Sequence, residues 1–166
     1  MAEKISEADA VREFWDKVHE DKTVMLGLNG PEHHTQPMTA LAEPATEELW
    51  FFTRTDTTLA LESIGGVQAR LVFMSKGEKV QADIIGTLRV ERDVNRIERY
   101  WNPMVGAWYP EGKADPHLTL LCFAPERGQV WVASHGAVGT AFEVTKANLT
   151  RKMPNIGTSA EVCFRH

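Results

Sequence analysis

LWFFTRTDTT, residues 49–58, is an apolar, aromatic run of strand length that ends in a hydroxyl-rich turn around one arginine. A helical pattern of apolar residues begins directly after it, at Leu59. Such a unit can bind an anion, because hydroxyl groups, unpaired helix-start amides and a guanidinium all donate hydrogen bonds. The alternative is an ordinary capped helix, with Asp56 or Thr57 as N-cap and Arg54 in solvent.

Length and composition indicate one globular domain. The chain has 166 residues, 43% hydrophobic and 25% charged, with a net charge of -5. No cluster of Lys and Arg is present, so nucleic acid and anionic membranes are not expected partners. No apolar run is long enough to span a membrane and the start lacks a signal peptide, which predicts a cytoplasmic location. Cys122 and Cys163 are predicted to be free thiols, with Cys122 in the core.

Strand patterns dominate the rest of the chain. Ser6 is a good N-cap for a helix ending near residue 20. The predicted strand segments are residues 23–29, 34–42, 49–53, 68–75, 80–91, 118–124 and 129–134. Pro37 removes a backbone donor, so its segment belongs at an edge or a bulge. The last two segments are predicted to form a hairpin about residues 125–128.

Helices are predicted at residues 57–64, after Asp93 and at 142–149, followed by a polar, irregular end. Six or seven short strands with short connections exclude a doubly wound parallel sheet. They favour an antiparallel barrel with helical decoration, because closure removes exposed sheet edges.

Common catalytic and metal-binding motifs are absent from the sequence, including the dinucleotide-binding glycine pattern, the P-loop and the nucleophile elbow. His33 and His34 are adjacent and point to opposite faces of an extended chain, so no metal site is expected. No residue is an obvious general acid or base.

Three features together suit a flat heteroaromatic ligand with a phosphate tail. The edge strand at 34–39 offers backbone groups for a ring, the turn at 52–58 offers the anion site, and Gln81 lies on the polar face of segment 80–91. Ordinary core and surface roles for these residues are the alternative.

Several short motifs resemble a known family. They are Gln36-Pro37-Met38, Trp50-Phe51-Phe52-Thr53-Arg54 with its helix, Gln81 five residues before Gly86, and the block Trp101-Asn102-Pro103 through Trp108-Tyr109-Pro110-Glu111-Gly112, with Asp115-Pro116 and Trp131. In their order and spacing, the chain resembles pyridoxamine 5'-phosphate oxidase-like flavoproteins with an FMN-binding split barrel. The aromatic block is similar to the general stress protein branch. The resemblance spans roughly residues 8–135.

The resemblance implies a mainly β (α+β) fold: a six-stranded antiparallel split β-barrel with flanking helices. We take residues 1–166 as one domain, with a C-terminal helix and tail at 136–166. The implied assembly is a homodimer with two FMN molecules at the subunit interface. The implied FMN-binding residues are Gln36, Pro37, Met38 and Thr39 along the isoalloxazine ring, Phe52 and Thr53 near the ribityl chain, Arg54, Thr55, Thr57 and Thr58 around the phosphate, Gln81 at the flavin, and Trp108 from the partner subunit.

The sequence departs from the family at the start of the short helix. A basic residue is usual there, whereas this chain has Thr58-Leu59. Losing a cation beside a phosphate dianion costs on the order of one to a few kcal/mol. Weak FMN binding, another flavin, a deazaflavin or a vacant site are therefore alternatives, as is compensation by Arg54.

The leading hypothesis is an FMN-binding, general-stress-type flavoprotein with weak NAD(P)H-dependent oxidoreductase activity. The second is a non-catalytic flavin sensor or storage protein. The third is haem binding, with His34 or His135 as axial ligand. Pyridoxamine phosphate oxidation is not expected, because the C-terminal Arg/His pattern of the true oxidases is not evident.

Overall fold

The computed structural model describes residues 4–134 and 137–164. The helices are α1 (Glu7–Asp21), α2 (Thr58–Glu62), α3 (Val94–Tyr100), α4 (Pro103–Gly106) and α5 (Ala137–Thr150). The strands are β1 (Thr23–Leu28), β2 (Gln36–Thr39), β3 (Leu41–Glu43), β4 (Glu48–Arg54), β5 (Val67–Met74), β6 (Val80–Val90), β7 (Leu118–Ala133) and β8 (Gly157–Cys163). Among these helices, none has both the length and the apolar composition needed to cross a bilayer.

The eight strands form one antiparallel sheet in the order β2-β1-β5-β6-β7-β4-β3, with β8 paired to β7. β2 and β3 lie at the two ends of this path, yet only Ala40 separates them in the chain. The sheet therefore curls until its ends meet, and β2 contacts β4. The predicted fold class, an antiparallel split barrel with flanking helices, is confirmed. The described residues form eight strands rather than six.

The main core lies between the curled sheet and α1. Ser6 caps α1 as predicted, accepting a hydrogen bond from the Asp9 amide at 3.1 Å. The apolar stripe of α1 includes Phe14, which is fully buried. Its ring packs edge-on against Trp15, Phe73 and Phe164, with centroids 5.2, 6.2 and 5.8 Å away. We call this buried cluster around Phe14 the main core.

β4 is buried on both faces, which explains its continuous apolar run. Leu49 and Phe51 point into the main core. Trp50 points the other way, into a second buried cluster formed with Ile97, Tyr109, Leu118, Leu120 and Cys122. A strand covered on both sides needs apolar residues at successive positions rather than at alternate ones. Burial raises the pKa of the Cys122 thiol to about 12, in line with its predicted core role.

The predicted hairpin at residues 125–128 is wrong, because β7 continues through it as one 16-residue strand. Gly128 lies inside this strand and has no positive φ. A Cβ on Gly128 would lie 2.2 Å from the Asp83 carbonyl oxygen, so this glycine permits close strand approach. The register with β6 shifts next to Gly86, which pairs with Pro125, and this β-bulge accommodates the residues that seemed to form a turn.

Two smaller predictions also need correction. The segment at 34–42 is divided into β2 and β3, and Pro37 lies on the edge strand β2, as predicted for a residue without an amide proton. The end of the chain was predicted to be irregular, which is wrong for residues 157–163, because they form β8 and pair with β7. Burial alternates along this segment, with Ala160, Val162 and Phe164 buried. This period of two is the sequence signal of a strand.

Candidate functional site

The β4–α2 corner, residues 53–58, has the strand-turn-helix geometry expected from the sequence. Thr57 is the N-cap of α2, and its hydroxyl oxygen accepts a hydrogen bond from the Ala60 amide at 3.2 Å. The same hydroxyl donates to the Arg54 carbonyl oxygen at 3.0 Å and lies 3.2 Å from the Thr53 hydroxyl. These bonds fix the backbone where the strand turns into the helix.

Arg54 at this corner is paired with Asp56. Its Nε and Nη2 atoms donate to the two carboxylate oxygens of Asp56, each at 3.1 Å. The hydrogen bond from Arg54 lowers the pKa of the Asp56 carboxyl group, so the pair is charged at neutral pH. Both groups are exposed to solvent, which limits their contribution to stability.

The corner opens into a pocket of about 460 Å³, which we call the corner pocket. It lies between β2, the end of β4 and α4. Its lining consists of Pro37, Met38, Thr39, Leu41, Phe52, Thr53, Arg54, Thr57, Asn102, Met104, Val105, Trp108 and Tyr109. The lining is mostly apolar, with polar groups at the corner, which is the usual composition of a small-molecule site.

Eight of the twelve predicted site residues meet in this pocket: Pro37, Met38, Thr39, Phe52, Thr53, Arg54, Thr57 and Trp108. Trp108 reaches the pocket of its own chain. Four others lie outside the lining. Gln36 is exposed at the start of β2, Thr55 and Thr58 are exposed at the corner, and Gln81 lies in a separate groove beside Trp131.

Five lining residues were not predicted: Leu41, Asn102, Met104, Val105 and Tyr109. Four of them come from α4 and its flanking residues, inside the aromatic block that carried the family resemblance. Asn102 caps α4, because its side-chain oxygen accepts hydrogen bonds from the Met104 and Val105 amides at 2.9 and 3.1 Å. Asn102 followed by Pro103 is a helix-start signal in the sequence. This signal would have predicted α4, which forms one side of the corner pocket.

A polar clamp holds α3, which precedes α4 in the chain, against the end of β3. Arg96 Nη2 lies 2.8 Å from Glu43 Oε2, and the Tyr100 hydroxyl donates to Glu43 Oε1 at 2.8 Å. The Arg96 guanidinium also stacks 4.0 Å from the centroid of the Trp50 ring. Burial alone would raise the pKa of Glu43, but the hydrogen bonds from Arg96 and Tyr100 lower it overall.

The charged and titratable side chains of the pocket lining limit the chemistry that the lining can supply. Among the described lining residues, Arg54 is the one cation, and no carboxylate or histidine is present. Tyr109 is 5% exposed, and burial raises the pKa of its phenol. At neutral pH the described lining therefore supplies no carboxylate or imidazole that could act as a general base.

Leu59 and His34 bear on two alternatives raised by the sequence. Leu59, which stands where the family usually has a basic residue, is 7% exposed and belongs to the main core rather than to the corner pocket. Among the described residues, His34 is exposed and does not line the pocket. His135, the other histidine considered as a haem ligand, lies outside the described residues.

Comparisons with known proteins identify relatives. The family model described as "Pyridoxamine 5'-phosphate oxidase like" matches residues 9–155. A proposed general stress protein 26 from Jannaschia sp. CCS1 is 31% identical, covers 96% of this chain and 100% of its own, and has a TM-score of 0.83. The general stress FMN/FAD binding protein from Xanthomonas citri is 39% identical over 75% of this chain and 89% of its own, with a TM-score of 0.69.

A protein from Clostridium acetobutylicum that is related to general stress protein 26 of Bacillus subtilis is 25% identical. It covers 77% of this chain and 91% of its own, with a TM-score of 0.62. No curated protein sequence matches the chain. The family match includes β2, the β4–α2 corner and α4, and thus the whole lining of the corner pocket. The chain therefore belongs to the pyridoxamine 5'-phosphate oxidase-like family.

Proposed function

We propose that this chain binds FMN in the corner pocket and acts as a general-stress-type flavoprotein. The observation that carries the proposal is the meeting of an edge strand, an apolar wall and an arginine corner in one pocket. The Xanthomonas citri relative, described as an FMN/FAD binding protein, supports it. True pyridoxamine phosphate oxidation is not proposed.

The pocket residues divide naturally along an FMN molecule. The backbone of β2 at residues 37–39 would bond the polar edge of the ring, and Phe52 and Trp108 would contact its faces and the ribityl chain. Arg54 would hold the phosphate through charge-assisted hydrogen bonds. When bound, the flavin supplies hydride transfer, while the protein orients it and limits access of water.

Absorbance and calorimetry test the binding directly. The purified protein should show flavin absorbance, or should take up added FMN and unfold at a higher temperature when FMN is saturating. Absence of flavin absorbance together with no thermal protection would remove the proposal.

Arg54→Ala tests the orientation of the ligand. FMN affinity should fall about ten- to a hundredfold, because a charge-assisted hydrogen bond contributes roughly 1.5–3 kcal/mol. Riboflavin, which has no phosphate, should lose little affinity. Arg12→Ala is the matched control, since Arg12 also pairs with an aspartate but lies on α1. Equal losses for the two flavins would mean that Arg54 acts through folding.

We also propose a homodimer, formed through the outer face of the sheet. Met25, Val72, Met74 and Trp131 are exposed there, and Gln81 lies between Met74 and Trp131 across neighbouring strands. Adjacent apolar side chains on one sheet face suit a second copy of the chain. Gln81 would then approach the flavin of the second copy, which accounts for its distance from the pocket of its own chain.

The mass in solution tests the dimer. The protein should have twice the chain mass at micromolar concentration, and Trp131→Glu should reduce it to one chain mass. A monomer under all conditions would contradict the dimer.

The two free cysteines, Cys122 and Cys163, fit a reducing compartment, and we propose a cytoplasmic location.

Turnover separates a reductase from a sensor or storage protein. The described pocket lining offers no carboxylate or imidazole to act as a general base at neutral pH, which favours cofactor chemistry or simple storage. Under anaerobic conditions, NAD(P)H should bleach the flavin absorbance of a reductase. Bound flavin that stays oxidised would instead identify a non-catalytic binding protein.

A further inference from the structure

The two corner threonines that line the pocket, Thr53 and Thr57, have no hydroxyl proton left for a ligand. A hydroxyl group has one proton, and the Thr57 hydroxyl donates it to the Arg54 carbonyl oxygen at 3.0 Å. In the Thr53–Thr57 contact of 3.2 Å, Thr53 must therefore be the donor. Both side chains can still accept hydrogen bonds, but an anion needs donors.

Among the described lining residues, Arg54 is consequently the one cationic side chain that can pair with a phosphate at this corner. A guanidinium presents its donors along planar edges, each of which can hold two oxygens. Asp56 occupies the edge formed by Nε and Nη2, with both of its oxygens at 3.1 Å. This geometry is the one that an arginine–phosphate pair would adopt.

Other charges near the corner do not replace Arg54. A second carboxylate, Asp115, lies near Arg54. It is buried and accepts a hydrogen bond from the His117 amide at 2.9 Å. The nearby Arg92 is directed at backbone, since its Nη2 donates to the Asp115 carbonyl oxygen at 3.3 Å. The corner therefore offers a phosphate one guanidinium flanked by carboxylates.

We propose that Asp56 competes with the phosphate of the ligand for Arg54 and thereby lowers the preference of the site for FMN over riboflavin. This inference rests on the proposed flavin binding. A phosphate must either displace Asp56 or use the remaining edge of Arg54 beside a carboxylate, and both routes cost affinity. Riboflavin, without a phosphate, meets neither cost.

Asp56→Asn tests the competition with almost no change of shape. The affinity for FMN should rise about tenfold, equivalent to about 1.4 kcal/mol, while riboflavin affinity changes by less than about twofold. Asp16→Asn on α1 is the control, because Asp16 is also exposed and the net charge changes equally. Asp56→Ser provides a second variant with the same expected direction.

The double variant Arg54→Ala/Asp56→Asn separates competition from general repulsion. If Asp56 acts through Arg54, the gain from Asp56→Asn should disappear when Arg54 is absent. The inference would be overturned if the gain in FMN affinity persisted in the double variant. It would also be overturned if Asp56→Asn left the ratio of FMN to riboflavin affinity unchanged or weakened FMN binding. Each of these results would leave the proposed flavin binding intact. Failure of every variant and of the parent protein to bind either flavin would overturn the proposed function as well.

Discussion

Phe14 and Trp108 are both large aromatic residues, but they lie in opposite surroundings. Phe14 is fully buried at the centre of the main core, with three other rings packed around it. Trp108 is 72% exposed and lines the corner pocket beside Met104, which is 79% exposed. The main core is covered by other side chains of the same chain, whereas the corner pocket leaves large apolar side chains exposed.

The difference indicates which residues serve folding and which serve binding. Burial of an apolar side chain stabilises the folded state, so Phe14 contributes where it stands. Trp108 buries little surface and contributes little to stability. Neighbouring exposed apolar side chains at the mouth of a pocket are typical of a surface that binds something. Variants at the two regions should therefore separate stability from ligand affinity.

Phe14→Ala should have the largest effect. Removing this ring leaves a cavity in the main core, which should lower the free energy of unfolding by about 3–5 kcal/mol. Phe142→Ala is the matched control, because Phe142 on α5 is 66% exposed and should change stability by less than about 0.5 kcal/mol. Urea unfolding followed by tryptophan fluorescence measures both. Similar decreases in the free energy of unfolding for the two variants would contradict the different roles of the buried and the exposed ring.

Glu43→Gln should have an intermediate, pH-dependent effect on the clamp that links the two regions. At pH 7 it should lower the free energy of unfolding by about 1–3 kcal/mol, because Arg96 loses a half-buried charged partner. The folded-state pKa of Glu43 is below its ordinary value of 4.5. Its stabilisation is therefore present above that value and is lost as the pH falls through the folded pKa.

Urea titrations at several pH values check this dependence. The parent protein and Glu43→Gln should differ by a constant amount above about pH 5 and should converge below pH 4.5. Glu32→Gln, at an exposed position after β1, should show no such convergence. A difference that grows towards low pH would contradict the assignment of the clamp.

Trp108→Ala should have the smallest energetic effect, and only on binding. FMN affinity should fall about three- to tenfold through loss of aromatic contact. The free energy of unfolding should change by less than about 0.5 kcal/mol. Isothermal titration and urea unfolding of one preparation give both values. If Trp108→Ala instead lowered the free energy of unfolding without changing FMN affinity, Trp108 would serve folding rather than ligand binding.

The sequence predicted best those elements whose pattern follows from one local rule. The alternation of β6, the Ser6 cap and the edge position of Pro37 each depend on geometry within a few residues. The hairpin at 125–128 failed because a proline and a glycine usually mark a turn, whereas here they serve a bulge and a close approach to β6. That role depends on a strand that is distant in sequence.

The site was predicted in part for the same reason. Residues of β2 and the β4–α2 corner carry local signals, such as an edge proline and a capped turn, and they do meet in the pocket. The pairing of Arg54 with Asp56 depends on side-chain geometry, which composition does not specify. The helix α3, which precedes α4 in the chain, is held by the clamp at Glu43, a contact across 53 residues that no local pattern reveals.

The long strand β7 has a practical consequence for engineering the chain. Along one edge it is paired first with β4, at residues 118–123, and then with β8, at residues 127–133. A shortened protein that ends before Gly157 would leave the second stretch bare, with backbone groups free to recruit strands from other molecules. Fusions and truncations at this end should therefore be screened for aggregation before any change in ligand binding is attributed to the pocket.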